Sequence, residues 1–294
     1  MSHLHSSAGQ EGNVRRIQIA LALTGTFMLV EVGGGILSGS LALLADAGHM
    51  LTDTMALGLA VFAFRVSSRP SDARRSYGYQ RIQIIAAFVN GLSLLVIVGW
   101  ILFEAVMRML DPPEVFGRTM LIVATAGLLV NIGTFLVLHG GDQENLNIRG
   151  AAIHVLGDLL GSAAAIVAAA VIIQSGWMPI DPILSVLVAL LILRSAWQLV
   201  LRSAHILLEG APEWLDVKGM QNKIIAAVPE VSGIHHVHVW GLTPQHPMLT
   251  MHVVLGETLV DPTPAVRKVK AVLESEYAID HSTIEVEFGD CADH

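Results

Sequence analysis

Six apolar runs dominate the first two thirds of the chain, at residues 17–37, 41–64, 82–107, 120–138, 148–173 and 182–201. A helix needs about 20 predominantly apolar residues to cross the hydrocarbon core of a bilayer. Each run has roughly that length, so the pattern predicts an α-helical membrane protein with six transmembrane helices. Composition agrees. Only 14% of the residues are charged and 53% are hydrophobic, whereas soluble domains carry about 25% charged residues.

The charges are unevenly placed. Residues 1–206 carry 12 Arg, no Lys and 12 Asp or Glu, which cancel. Residues 207–294 carry 5 Lys or Arg and 13 Asp or Glu, so the whole net charge of −8 lies there. This predicts three parts: a polar N-terminal tail at 1–16, a six-helix transmembrane domain at 17–206, and a separate acidic domain at 207–294. Such an acidic domain argues against a nucleic-acid partner. The single cysteine, Cys291, excludes an intramolecular disulfide. The first apolar run is too long for a signal-peptide core and reads as a retained span.

Orientation follows from the arginines. Arg65, Arg69, Arg74, Arg75 and Arg81 crowd the segment between the second and third runs. That segment belongs on the cytoplasmic side, which also puts both termini in the cytoplasm. The same arginines are placed to meet anionic lipid headgroups. In the acidic domain, residues 217–228 and 264–277 have helical periodicity, and 236–240, 249–254 and 283–288 alternate as strands. Residues 243–247 read as a hairpin-like loop. The order α-β-β-α-β describes a small two-layer α/β domain.

The chemistry lies in a repeat. Ala47-Gly48-His49-Met50-Leu51-Thr52-Asp53 sits in the second run and Ala152-Ile153-His154-Val155-Leu156-Gly157-Asp158 in the fifth, both reading A-x-H-x-L-x-D. Positions i and i+4 share a helix face, so each run presents one imidazole and one carboxylate together. An Asp at the centre of a membrane helix costs roughly 2.5–3.5 kcal/mol on insertion scales. Two such carboxylates need a partner, and a dication is an efficient one. If the two runs pack antiparallel, His49 falls level with Asp158 and Asp53 with His154, giving four ligands for one tetrahedral ion. Nitrogen and oxygen donors without sulfur suit zinc, are compatible with cobalt, nickel or iron, and disfavour copper(I). Asp46 shares the face of His49 and Asp53, either supporting the site, lining its approach or facing water. Metal binds ionised carboxylate and neutral imidazole, so binding expels protons. Return of those protons from outside would make the site an antiporter. No H-E-x-x-H pattern and no G-x-x-x-x-G-K-[ST] loop occurs, which argues against a metalloprotease or an ATP-driven pump.

Elsewhere, Glu31 in the first run must face protein or water. Gly33-Gly34-Gly35 either allow close helix approach or loosen the helix end. Asn131 reads as an interhelical hydrogen-bonding residue. Glu104 and Arg108, at i and i+4, read as an interfacial ion pair.

At the paired motifs the chain resembles the cation diffusion facilitator family, in particular its bacterial zinc-efflux members. The resemblance rests on residues 39–53, His154-Val-Leu-Gly-Asp158, Tyr77-Gly-Tyr-Gln-Arg81, Leu208-Glu-Gly-Ala-Pro212 and His235-His-Val-His-Val-Trp240. It implies a multi-pass protein of the cell inner membrane that removes zinc from the cytoplasm by proton antiport. It implies a homodimer, alternating access, and a transport site of His49, Asp53, His154 and Asp158, with His at the first position favouring zinc over cadmium. It also implies a ferredoxin-like cytoplasmic domain that dimerises and binds regulatory zinc. The positions matching that regulatory site are His238, His252, His281 and Glu287; the other reading makes them ordinary solvated strand residues. The chain lacks the His-rich loop some relatives carry after the fourth run, where only His139 stands. Two other classes remain in view: a membrane-bound metal sensor signalling through its acidic domain, and an intramembrane hydrolase, which needs a water-activating metal and a base.

Overall fold

A computed structural model describes residues 3–67, 69, 71–139, 146–256, 261–289 and 291. Some helical side chains, those of Asp53 and His154 among them, lie outside the described ones. Six long helices come first: α1 (His3–Ser38), α2 (Leu41–Ser67), α3 (Ile82–Leu110), α4 (Gly117–His139), α5 (Leu146–Ser175) and α6 (Ile180–Leu207). The tail domain follows as α7 (Val217–Ala227), β1 (Val231–Thr243), β2 (His246–Leu255), α8 (Thr263–Tyr277) and β3 (His281–Glu287). The chain divides into two compact units, Met1–Leu59 with Val89–Leu199, and Ala60–Phe88 with Val200–His294.

Five stretches among the described residues, lying mainly in the first unit, are long and apolar enough to cross a membrane: Gln18–Ser38, Ile82–Leu110, Gly117–His139, Asp158–Ser175 and Ile180–Leu207. In α2 the described apolar stretch is Leu41–Thr52, shorter than the run read from the sequence. The helix itself has 27 residues, about 40 Å at 1.5 Å per residue. Apolar side chains point outward on many of these helices: Val96, Ile122, Leu160 and Leu191 are 72, 70, 69 and 71% exposed. Water would penalise such faces and lipid does not.

Helix α2 is the hub of this unit. Leu41 and Ala45 cluster with α3 and α6 through Leu94, Val98, Ala189 and Ile192. Ala42 and Leu43 cluster with α4 and α5 through Met120, Ala124, Ala165 and Ala169. Met50 packs with Phe27 and Met28 of α1. Small residues make the close contacts possible. A β-carbon at Gly34 would stand 2.6 Å from Val123 of α4, so the first glycine run marks a tight helix crossing. Asn131 Nδ2 donates to Ser162 Oγ at 3.2 Å, joining α4 to α5.

The start of α2 is held from a distance. Gly39 makes the turn after α1 with φ of +70°, a conformation that glycine adopts without strain. Arg108, paired with Glu104 at 2.9 Å, donates to the carbonyl of Gly39. The amides of Leu41 and Ala42 donate to the carboxylate of Asp181 at 2.7 and 3.2 Å, and Ser40 Oγ donates to it as well. Ser40 Oγ accepts the Leu43 amide at 3.2 Å. Asp181 also lies in the first turn of α6, so two positive helix ends converge on one fully buried carboxylate.

In the second unit, β1 and β2 pair antiparallel and β2 and β3 parallel, in the order β1-β2-β3. Leu249, Met251, Val253 and Leu255 alternate on one face of β2 and bury against Met220 and Ile224 of α7 and Val269 and Leu273 of α8. The α-β-β-α-β order matches the alternation in the sequence. Strand β1 is longer than expected, and its turn to β2 is only Pro244-Gln245. The segment before α3 is also ordered by one carboxylate. Asp72 accepts the amides of Arg74 and Arg75 at 2.8 Å each and the hydroxyl of Tyr79 at 2.7 Å. The Tyr79 hydroxyl, and then those amides, hold the Asp72 carboxyl below its ordinary range.

Replacing Asp181 leaves three donors at the start of α2 without their acceptor. Asp181→Ala is expected to lower stability by about 2–3 kcal/mol, read as a lower melting temperature of the purified protein in detergent. An unchanged melting temperature contradicts this role.

Candidate metal centres

The first centre lies where α2 meets α5. Asp46 Oδ1 stands 3.1 Å from where a β-carbon would sit on Gly161. About one turn earlier on α2, Ala42 and Leu43 share a cluster with Ala165, Ala168 and Ile172. As numbers rise along α2 they fall along α5, so the two helices run antiparallel. Helix geometry carries this register onward: three residues past Asp46 is His49, and three before Gly161 is Asp158. One further turn on each helix reaches Asp53 and His154, whose side chains lie outside the described residues. Asp158 is 3% exposed, Asp46 4%, and His49 is partly buried.

A third carboxylate joins them from α1. Glu31 is 1% exposed, with Asp46 and Asp158 as its charged neighbours. Its Oε2 is buried without a hydrogen-bond partner. Glycine at 127 makes its room: a β-carbon there would approach Glu31 Oε1 to 3.1 Å and Phe27 to 2.8 Å. The intramembrane carboxylate foreseen to face protein or water faces protein, beside the two acidic positions of the paired helices.

The second centre is on the tail-domain sheet, on the face away from α7 and α8. His252 Nδ1 lies 2.9 Å from Glu287 Oε1, and His235 Nε2 lies 2.7 Å from Glu287 Oε2. Cys291 Sγ is 3.7 Å from His236 Nδ1 and 3.8 Å from His252 Nδ1. His235, His236, His252 and Cys291 can direct one donor atom each into a space under 4.8 Å across, and His252, Glu285 and Glu287 form a second such group. Three imidazoles and a thiol match the donor set of a tetrahedral zinc site. Burial pushes the Glu287 carboxyl up, but hydrogen bonds from His252, Cys291 and His235 outweigh it and leave it below the ordinary glutamate range.

Of the four residues expected here, the structure brings together His252 and Glu287. His281 and Glu287 share a face of β3 but stand at its opposite ends, about 20 Å apart at 3.3 Å per residue. His281 instead meets the ring of Tyr77 edge-on. His238 pairs in register with Thr250, while His235 lies directly across from His252. The cause is a bulge between His235 and His238, where His236 takes φ of +47°. A bulge breaks the two-residue period, so His235, which strict alternation sets on the opposite face from the family-matched His238, comes round to face His252. The signal within reach was the uninterrupted His235-His236 pair. Nothing in the strand pattern points to Cys291, which follows β3.

The family described as the cation efflux transmembrane domain matches residues 17–208, and the cation efflux protein cytoplasmic domain matches 219–288. The zinc transporter ZitB of Pectobacterium atrosepticum is 49% identical over 294 residues, covering 100% of this chain and 91% of that protein. ZitB of Escherichia coli K12 is 49% identical over 296 residues, at 99 and 92% coverage. The metal cation efflux system protein CzcD of Cupriavidus metallidurans is 41% identical over 290 residues, at 98 and 90% coverage. A solved structure, the metal-bound C-terminal domain of a CzcD transporter, is 33% identical and covers 25% of this chain and all of its own, with a TM-score of 0.23. Both family domains in order, with half the residues shared end to end, establish that this multi-pass membrane chain belongs to the cation efflux, or cation diffusion facilitator, family.

Proposed function

We propose that this chain exports zinc from the cytoplasm in exchange for protons, with His49, Asp53, His154 and Asp158 as the transport ligands. The observation that carries the reading is the antiparallel register of α2 and α5, set by Asp46 against Gly161. It levels each histidine with the carboxylate of the other helix. Similarity to zinc transporters supports zinc as the cargo. Family membership favours a transporter over an enzyme and removes the reason to prefer a stand-alone sensor.

Exchange follows from ligand chemistry. In the loaded state the carboxylates are ionised and the imidazoles neutral; without metal, buried carboxylates crowding one another take up protons. One set of side chains thus carries zinc one way and protons the other. Asp46 supports the site from the same helix face. In this reading α2 is the sixth span, the protein lies in the cell inner membrane with both termini in the cytoplasm, and the tail domain is ferredoxin-like and dimerises. Its second centre binds regulatory zinc through His252 with His235, His236 and Cys291, and Glu287 holds two of these rings.

Zinc uptake into sealed proteoliposomes under an imposed pH gradient tests the exchange. Flux is expected to follow the gradient, and Asp158→Ala is expected to reduce it by at least the about 10–100-fold that follows loss of a metal ligand's outer partner. Flux indifferent to the variant removes the four-ligand site. For the tail domain, equilibrium dialysis with metal analysis is expected to find one fewer zinc per chain in the His252→Ala, Cys291→Ser double variant than in the parent. Equal zinc content excludes the second centre.

A further inference from the structure

The second unit holds a cavity of about 680 Å³ that neither metal centre uses. The segment before α3 forms one wall and the open face of the sheet the other. Arg74, Arg75 and Arg81 line it, and its single acidic lining residue, Glu209, is already paired with Arg81 at 3.1 Å. The lining therefore keeps an excess of positive charge. Arg81 has spent one arm on Glu209, and its Nε is buried without a hydrogen-bond partner. Arg75 lies flat over the Tyr79 ring, 4.7 Å from its centre, and Tyr79 is braced by Asp72. The basic end is thus built rather than splayed into solvent. Arg74 reaches Asp72 only through its backbone amide.

Beyond the arginines the lining mixes polar residues, Ser76, His238 and Thr250 among them, with an apolar wall. Ile82 and Ile85, on the first turns of α3, face the cavity together with Trp240 and Leu242 of β1. Helix α3 is one of the membrane-crossing stretches, and Ile85 is 48% exposed. A ligand that satisfies both ends has an anionic oxygen cluster attached to an apolar body. Guanidinium groups favour phosphate oxygens through paired, charge-assisted bonds. We infer that this cavity binds the phosphodiester headgroup of an anionic phospholipid, with the start of its acyl chains along Ile82 and Ile85. A free phosphate would use the arginines and leave the isoleucine wall idle. Bound there, the lipid touches both the segment preceding α3 and the sheet that carries the second metal centre.

Native mass spectrometry of the full-length protein in detergent tests this. Phosphatidylglycerol and phosphatidylcholine of equal chain length are titrated separately, with inorganic phosphate as competitor. Phosphatidylglycerol is expected to bind about tenfold more tightly, the worth of one charge-assisted contact. Arg74→Gln and Arg81→Gln are each expected to erase most of that preference, and Arg74→Lys to keep part of it. Ile85→Ser is expected to weaken phosphatidylglycerol, while Arg118→Gln, on the first turn of α4, changes nothing. Because the Arg74 side chain has no hydrogen bond or ion pair among the described residues, its variant separates binding from misfolding. Equal retention of the two lipids, or a preference untouched by Arg74→Gln, overturns the inference. Displacement by inorganic phosphate with no effect of Ile85→Ser assigns the cavity to a soluble anion and overturns the lipid reading.

Discussion

Three carboxylates buried at membrane depth set the terms for this structure. Glu31, Asp46 and Asp158 are each less than 5% exposed, and lipid offers no solvation for any of them. Everything around them serves to keep them together and away from the bilayer. Glycines on the facing helices, Gly127 opposite Glu31 and Gly161 opposite Asp46, give the space that larger residues would fill. Alanines along α5 let α2 lie close. Without a counter-charge the same carboxylates would be costly in a purely structural bundle, a cost that the proposed passage of cations offsets.

Helix α2 has to be held at a fixed depth for its histidine and aspartates to meet α5 in register. Shifting one helix by a single residue moves its ligands about 1.5 Å along the axis and rotates them by about 100°. The anchor is at the far end of the helix, where Asp181 accepts two amides and a hydroxyl and Arg108 grips the preceding turn. This link joins the packing of α6 to the geometry of the site. Hydrogen bonding at a helix end thereby becomes part of the positioning of His49, the proposed metal ligand two turns away.

Much of this was legible in the chain. Apolar run lengths announced the long helices. The i,i+4 spacing of His and Asp in both motifs put each pair on one helix face without reference to tertiary structure. Asn131 and the Glu104–Arg108 pair were read for the contacts they make. What escaped was non-local or irregular. No local pattern ties Asp181 to Leu41, 140 residues earlier. The second candidate metal centre was half hidden: His238 came from the family resemblance, while it is the bulge at His236 that brings His235 opposite His252. His281 came from the family resemblance rather than from the strand pattern, and it stands at the opposite end of β3 from Glu287.

The central claim is that His49, Asp53, His154 and Asp158 close around one ion. X-ray absorption at the zinc edge tests it most directly, on protein carrying His252→Ala and Cys291→Ser so that the tail-domain centre is silent. The account predicts four nitrogen or oxygen neighbours at about 2.0–2.1 Å with the outer-shell pattern of two imidazoles, a signal that disappears with Asp158→Ala. A spectrum of six oxygen neighbours without imidazole, or one that survives Asp158→Ala, would contradict it.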